Sequence, residues 1–119
     1  EGLDHIVYPG LPDPPSHETA KRVLKNGFGT VMGLVFDSEA IARGTLDRLE
    51  LVSHLANIGD AKTVAIQPWH TTHASLSDEA KRAAGVVPEM IRVSVGIEHV
   101  DDIFEDLKQA IAGAVKAAR

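Results

Sequence analysis

A chain of 119 residues is long enough for one domain built on one core. Hydrophobic residues make up 44% and aromatic residues only 4%, so that core has to be mostly aliphatic. A formal net charge of −5 leaves no basic excess to neutralise phosphates, which argues against a nucleic-acid partner, and the absence of cysteine excludes disulfides, thiolate metal sites and a cysteine nucleophile.

No apolar run approaches the length of a membrane span, so no membrane partner is expected and a reducing, cytoplasmic compartment is the expectation. The sequence starts Glu1-Gly2-Leu3-Asp4, with no Met and no basic-then-apolar leader, and reads as a piece of something longer.

In chain order, His5 to Tyr8 reads as a short strand. Pro9 to Pro15 holds four prolines and a glycine and makes a loop. Ser16 to Asn26 reads as a helix with Ala20, Val23 and Leu24 on one face, and Gly27 stands where a left-handed cap belongs. Thr30 to Phe36 is rich in β-formers. Asp37 or Ser38 can cap the next helix, whose apolar stripe is Ile41, Thr45, Leu46, Leu49 and Val52 and which Asn57-Ile58-Gly59-Asp60 breaks. Thr63 to Ile66 is a third strand, ended by Pro68. Gln67 to Ser77 reads as a polar loop and Ser77 to Ala84 as a short helix capped by Ser77. Met90 to Val95 is a fourth strand, in which Ile91, Val93 and Val95 alternate with Arg92 and Ser94. The last helix runs from about Val100 to Ala118, with Ile103, Leu107, Ile111, Ala114 and Val115 as its buried stripe. Asp101 and Asp102 in its first turn, and Lys116 and Arg119 in its last, suit the helix dipole. The order of elements predicts an α/β fold of the α+β kind, with a largely antiparallel sheet and helices on one face.

Four stretches can carry chemistry. If Ile91, Val93 and Val95 face the core, Arg92 lies on the other face of a rigid strand, where a guanidinium offers a fixed fork of donors to a carboxylate. The alternative is a surface arginine on an edge strand. The Asn57–Asp60 turn can cradle an anion with backbone N–H groups or serve only as a helix terminus. His70 and His73 invite a zinc reading, but they follow a proline in a loop and no third ligand is spaced beside them, so no metal site is expected and a substrate-facing loop or a solvated turn is the stronger reading. Lys62 lacks the serine-rich flank of a cofactor lysine and reads as a surface residue.

Taken together, several stretches resemble one family. Val7-Tyr8-Pro9-Gly10-Leu11 followed by Pro15 and His17 opens the series. Gly29 to Phe36, then His54 to Thr63 with its Ala-Asn-Ile-Gly-Asp-Ala-Lys core, then Thr71-Thr72-His73 and Leu76, continue it. Gly85, Pro88, Ile91 to Glu98 and Asp101-Asp102 close it. The series resembles, in the right order and over nearly the whole chain, the small C-terminal domain of the Cys/Met-metabolism pyridoxal-phosphate enzymes of fold type I. The asparagine in Asn57-Ile58-Gly59-Asp60 is similar to the O-acetylhomoserine sulfhydrylase branch, where the lyases and synthases of cystathionine usually carry a serine. Gln67-Pro68-Trp69-His70 departs from the commoner His-Pro-Ala-Ser.

The resemblance implies a parent enzyme that replaces the acetoxy group of O-acetylhomoserine with sulfide or a thiol, and a homotetrameric parent. It implies that Arg92 binds the substrate α-carboxylate, that the turn at Asn57 and Ile58 contributes to the same site, and that Thr72 and His73 belong to a loop near it. It also implies that the cofactor lysine and the phosphate-binding residues lie in a large domain with no matching position here. No catalytic or cofactor-binding residue is therefore expected in residues 1–119, and the isolated chain is expected to be inactive. Residues 1–15 are expected to form a leading strand and proline-rich loop, and residues 16–119 the domain itself. The competing reading is a stand-alone ligand-binding or regulatory α/β module, which can also use an exposed arginine and a glycine turn.

Overall fold

The computed structural model of the chain describes residues 1–12 and 15–119. Among the described residues ten elements follow one another: β1 (Leu3–Val7), α1 (His17–Val23), β2 (Val31–Phe36), α2 (Glu39–Leu46), β3 (Ser53–His54), β4 (Val64–Ile66), a 3-10 turn (Pro68–His70), α3 (Asp78–Ala83), β5 (Met90–Ser94) and α4 (Val100–Ala117). The strands form one sheet in the order β1-β2-β5-β4-β3. Every neighbouring pair is antiparallel except β3 and β4, so the sheet is largely antiparallel, as predicted.

Strand β5 sits in the middle, hydrogen-bonded to β2 on one side and β4 on the other. Successive side chains of a strand point to opposite faces. Ile91 and Val93, 1% and 0% exposed, point into the aliphatic core with Leu34, Phe36 and Ala65. Helices α2 and α4 cover that face through Ile41, Ala42, Leu46, Ile103 and Ala114. The two helices approach closely because small residues meet: a β-carbon on Gly44 would stand 3.2 Å from that of Ala114. Ser38 caps α2 by accepting the Ile41 N–H at 3.3 Å, and Ser77 caps α3 by accepting that of Ala80 at 3.2 Å.

Three elements differ from expectation. The first helix stops at Val23 instead of reaching Asn26, and Val23 and Leu24 are 67% and 44% exposed, so only Ala20 of its apolar face is buried. The left-handed residue after it is Asn26, at φ 61°, which precedes Gly27. The second helix ends at Leu46, yet Leu49 and Val52 still reach the core. The cause is Asp106 on α4: its buried carboxylate accepts the N–H groups of Glu50 at 2.9 Å, Leu51 at 2.9 Å and Val52 at 2.8 Å. Those donors are taken by a side chain from 54 to 56 residues away, and the chain turns into β3, a strand the sequence does not announce. The third difference is the stretch after β4. Gln67, Pro68 and Trp69 are buried, and Gln67 donates its amide to the Pro88 carbonyl at 2.6 Å, so the polar-loop reading fails at its start. Of the predicted proline-rich loop, positions 13 and 14 lie outside the described residues.

Burial pushes the Asp106 carboxyl up, but the N–H groups of Val52 and Glu50, the Gln109 amide and the Leu51 N–H together outweigh it and hold it below the usual carboxylate range. Replacing a buried charged acceptor leaves several donors unsatisfied, so Asp106→Ala should cost about 2–4 kcal/mol at neutral pH. A carboxyl depressed in the folded state stabilises that state above its unfolded pKa, roughly 3.9, and loses this contribution as pH falls through the folded value. Urea titrations of both proteins should therefore show a gap that is full at pH 7 and narrows on acidification below about pH 4. A gap independent of pH would show that packing, not the charge, sets the role of Asp106.

Candidate functional site

The alternation that sends Ile91 and Val93 into the core sends Arg92 and Ser94 to the other face of β5. Arg92 faces Gly33 on β2 and Ile66 on β4, so it stands on a central strand and the edge-strand reading is wrong. It is half-buried, and its Nε is a buried polar atom without a hydrogen-bond partner, the sole such side-chain atom among the described residues. No carboxylate of the described residues forms an ion pair with it. A buried N–H left unpaired is costly, so a guanidinium held this way calls for an acceptor that arrives from outside.

The turn from Asn57 to Lys62 lies beside the same strand. Inside the turn, the Asn57 side-chain amide donates to Asp60 at 2.9 Å, Asn57 Oδ1 accepts the Ile58 N–H at 2.9 Å, and Asp60 accepts the Lys62 N–H at 3.1 Å. The Lys62 N–H and the Asn57 amide are the main causes holding the Asp60 carboxyl below its ordinary value. Gly59 takes φ +77°, a left-handed conformation that favours glycine. Its N–H donates to the Ser94 hydroxyl at 3.3 Å, two residues along the strand from Arg92.

The far end of the turn is tied to the segment after β5. Glu98 accepts the Thr63 N–H and the Thr63 hydroxyl, both at 2.7 Å. The Thr63 hydroxyl in turn accepts the Gly96 N–H at 2.8 Å, and Ile97 donates to the Ala61 carbonyl at 2.8 Å. The Thr63 hydroxyl, then its N–H, hold the Glu98 carboxyl below its usual value. Gly96 admits no side chain, because a β-carbon there would meet the Ala61 carbonyl oxygen and the Thr63 nitrogen. Thr63, Ser94 and Glu98 are roles that sequence reasoning missed. All three lie within the quoted stretches, but no local spacing relates residues 35 positions apart.

The remaining candidates fall elsewhere. His70 shares a 2.6 Å hydrogen bond with Glu39 at the start of α2, and His73 Nδ1 shares one of 2.9 Å with the Thr72 hydroxyl. No group of three or more histidine, aspartate or glutamate side chains is placed to hold a metal among the described residues. Thr72 is exposed and His73 half-buried, and no hydrogen bond joins either to Arg92. Lys62 is exposed and donates to the Leu51 carbonyl at 2.8 Å. Lys81 is buried, with its ammonium group 4.5 Å over the Trp69 ring and 3.5 Å from Asp78, so it is engaged within the fold away from Arg92.

The sequence model of the Cys/Met metabolism PLP-dependent enzymes matches residues 1–112. The chain is 50% identical over 109 residues to O-acetyl-L-homoserine sulfhydrylase 1 of Thermus thermophilus, covering 90% of this chain and 26% of that protein. It is 48% identical over 110 residues to the homocysteine synthase of Schizosaccharomyces pombe, covering 92% and 26%. A Campylobacter jejuni structure described as an O-acetylhomoserine (thiol)-lyase, with a pyridoxyl-lysine phosphate at its position 205, superposes with a TM-score of 0.90 at 34% identity, over 93% of this chain and 27% of that one. Cystathionine γ-synthase of Xanthomonas oryzae pv. oryzae, in complex with cystathionine, superposes with a TM-score of 0.89 at 30% identity, over 97% and 30%. No helix of the chain is long and apolar enough to cross a membrane among the described residues. The chain spans about a quarter of the length of the relatives it matches, and it belongs to the Cys/Met-metabolism family of PLP-dependent enzymes.

Proposed function

We propose that this chain is the small C-terminal domain of a pyridoxal-phosphate enzyme that exchanges the acetoxy group of O-acetylhomoserine for sulfide or a thiol, residues 1–15 being its entry segment, whose strand β1 joins the sheet of residues 16–119. In this reading the domain holds the α-carboxylate of the amino-acid substrate. The observation that carries it is the buried, unpartnered Nε of Arg92 on the central strand. A planar carboxylate supplies the two acceptors that a guanidinium fork is shaped for. The Asn57–Ile58 turn, anchored to the same strand through Gly59 and Ser94, contributes backbone to that site. Thr72 and His73 belong to a loop near the closed site. Two of the quoted relatives carry the names O-acetyl-L-homoserine sulfhydrylase and homocysteine synthase, which supports this substrate class.

The residues of this chain do not fit a pyridoxal-phosphate site. Lys62 is bonded to a backbone carbonyl, and Lys81 is held between an aromatic ring and a carboxylate. The cofactor, which supplies the electron sink for chemistry at the substrate α-carbon, is assigned to a large domain of the same parent chain. What this chain contributes is orientation: fixing the carboxylate fixes the α-carbon and its proton relative to the reacting groups. The parent is proposed to be a cytoplasmic homotetramer. The stand-alone module finds less support, since the quoted relatives have about three-quarters of their length outside the matched region.

In the full-length parent, Arg92→Ala should cost about 2–5 kcal/mol of substrate and transition-state binding if the guanidinium is desolvated in the closed site. That lowers kcat/KM for O-acetylhomoserine by roughly 30-fold or more. Arg92→Lys should recover only part, because an ammonium lacks the planar fork. The cofactor absorbance of the resting enzyme should be unchanged. Near-normal kcat/KM would remove Arg92 from the site, and loss of bound cofactor would assign it to a different partner.

The 119-residue chain alone, mixed with pyridoxal phosphate and dialysed, should retain no cofactor absorbance and make no homocysteine. A borohydride-stable adduct on Lys62 that forms stoichiometrically would contradict this assignment.

A further inference from the structure

The Asn57–Gly59 half of the turn has little packing to hold it. Leu55 to Gly59 are all exposed, and Ile58 is 59% exposed. Its internal hydrogen bonds, Asn57 to Asp60 and Ile58 to Asn57, make it stiff without fixing it to anything. The other half is fastened through Ala61 and Thr63 to Gly96, Ile97 and Glu98. For residues 57–59, one hydrogen bond among the described residues reaches the sheet: the Gly59 N–H to the Ser94 hydroxyl.

Ser94 is suited to that task. It is 1% exposed, on the central strand, and on the same face as Arg92 two residues away. Its neighbours across the sheet are Val31 and Val64, so its place is set by two ladders and not by its own packing. A hydroxyl on so rigid a support transmits the strand's position to whatever it binds. Arg92 takes its position from the same backbone.

We propose that Ser94 is a positioning residue: its hydroxyl holds the Asn57–Ile58–Gly59 turn in register with Arg92, so that turn and guanidinium receive one carboxylate together. The proposal rests on the carboxylate-site reading above. Ser94 touches no substrate in this scheme. Without its hydroxyl, the turn remains closed on itself and anchored at Thr63, but its exposed half drifts relative to Arg92. The consequence falls on affinity for the amino-acid carboxylate and leaves the sulfur donor alone.

The test uses the full-length parent and two readouts. The first is calorimetric binding of L-homoserine, which carries the same amino and carboxylate groups and no acetoxy leaving group. The second is steady-state kinetics with O-acetylhomoserine and sulfide. Ser94→Ala should weaken homoserine binding and raise KM for O-acetylhomoserine by about five- to tenfold, the scale of one hydrogen bond. The KM for sulfide and the melting temperature should hardly move. Ser94→Thr, which keeps the hydroxyl, should recover most of the affinity. In an Arg92→Lys background the effect of Ser94→Ala should shrink, because the turn has lost the partner it is aligned with.

If Arg92→Ala abolishes homoserine binding and Ser94→Ala leaves it unchanged, the positioning role is overturned and the carboxylate site stands. If Arg92→Ala leaves homoserine binding intact, the carboxylate site itself falls. A Ser94→Ala protein that loses affinity for both substrates together with thermal stability would make Ser94 a structural residue and overturn the inference.

Discussion

Strand β5 has to serve two faces at once, and the rest of the molecule is arranged around that necessity. A strand paired on both sides cannot rotate about its axis, so alternate side chains are committed to opposite faces. Ile91 and Val93 anchor the aliphatic core under α2 and α4. The same anchoring fixes Arg92 and Ser94 on the far face, and a one-residue slip would exchange the two pairs. The precision of the candidate site is therefore inherited from hydrophobic burial, because burial selects the register. Packing energy spent on Val93 is, in this sense, what aims Arg92.

Carboxylates organise the irregular parts. Asp106 gathers three backbone donors where α2 would otherwise continue, and Glu98 gathers two donors of Thr63 where the turn rejoins the sheet. Each uses both oxygens to satisfy groups from a segment distant in sequence. Backbone that leaves regular structure near a core must find partners for its N–H groups, and a carboxylate can accept several at once. One acidic side chain ends a helix and another seats a turn, and between them they define how the 47–63 connection runs from the helix layer to the sheet.

Much of this was legible in the sequence, for reasons that differ by element. The alternation in Met90–Val95 and the stripe in Val100–Ala118 are strong periodic signals, and both elements lie where the pattern places them. The family resemblance was legible because the stretches occur in order, and their order carried more than any one of them. The end of α2 was not legible, since Leu49 and Val52 keep helical spacing and are buried outside the helix. The competing acceptor, Asp106, lies more than fifty residues away. For the site, Arg92 could be assigned to a face but not to a central strand, because strand order is a tertiary fact. Ser94 looked like an ordinary polar residue on a strand, and only the approach of Gly59 gives its hydroxyl a task.

The buried start of the stretch after β4 has an optical consequence. Trp69, the one tryptophan of this sequence, is 7% exposed, with Lys81 4.5 Å and Arg82 5.2 Å from its ring. An indole so enclosed, with two cations against its face, has an emission that depends on their distance. It lies outside the aliphatic cluster formed by α2, α4 and the sheet, and reports on the contact between the 3-10 turn and α3. Its fluorescence is a native gauge of the segment that leads into Thr72 and His73, readable without labels.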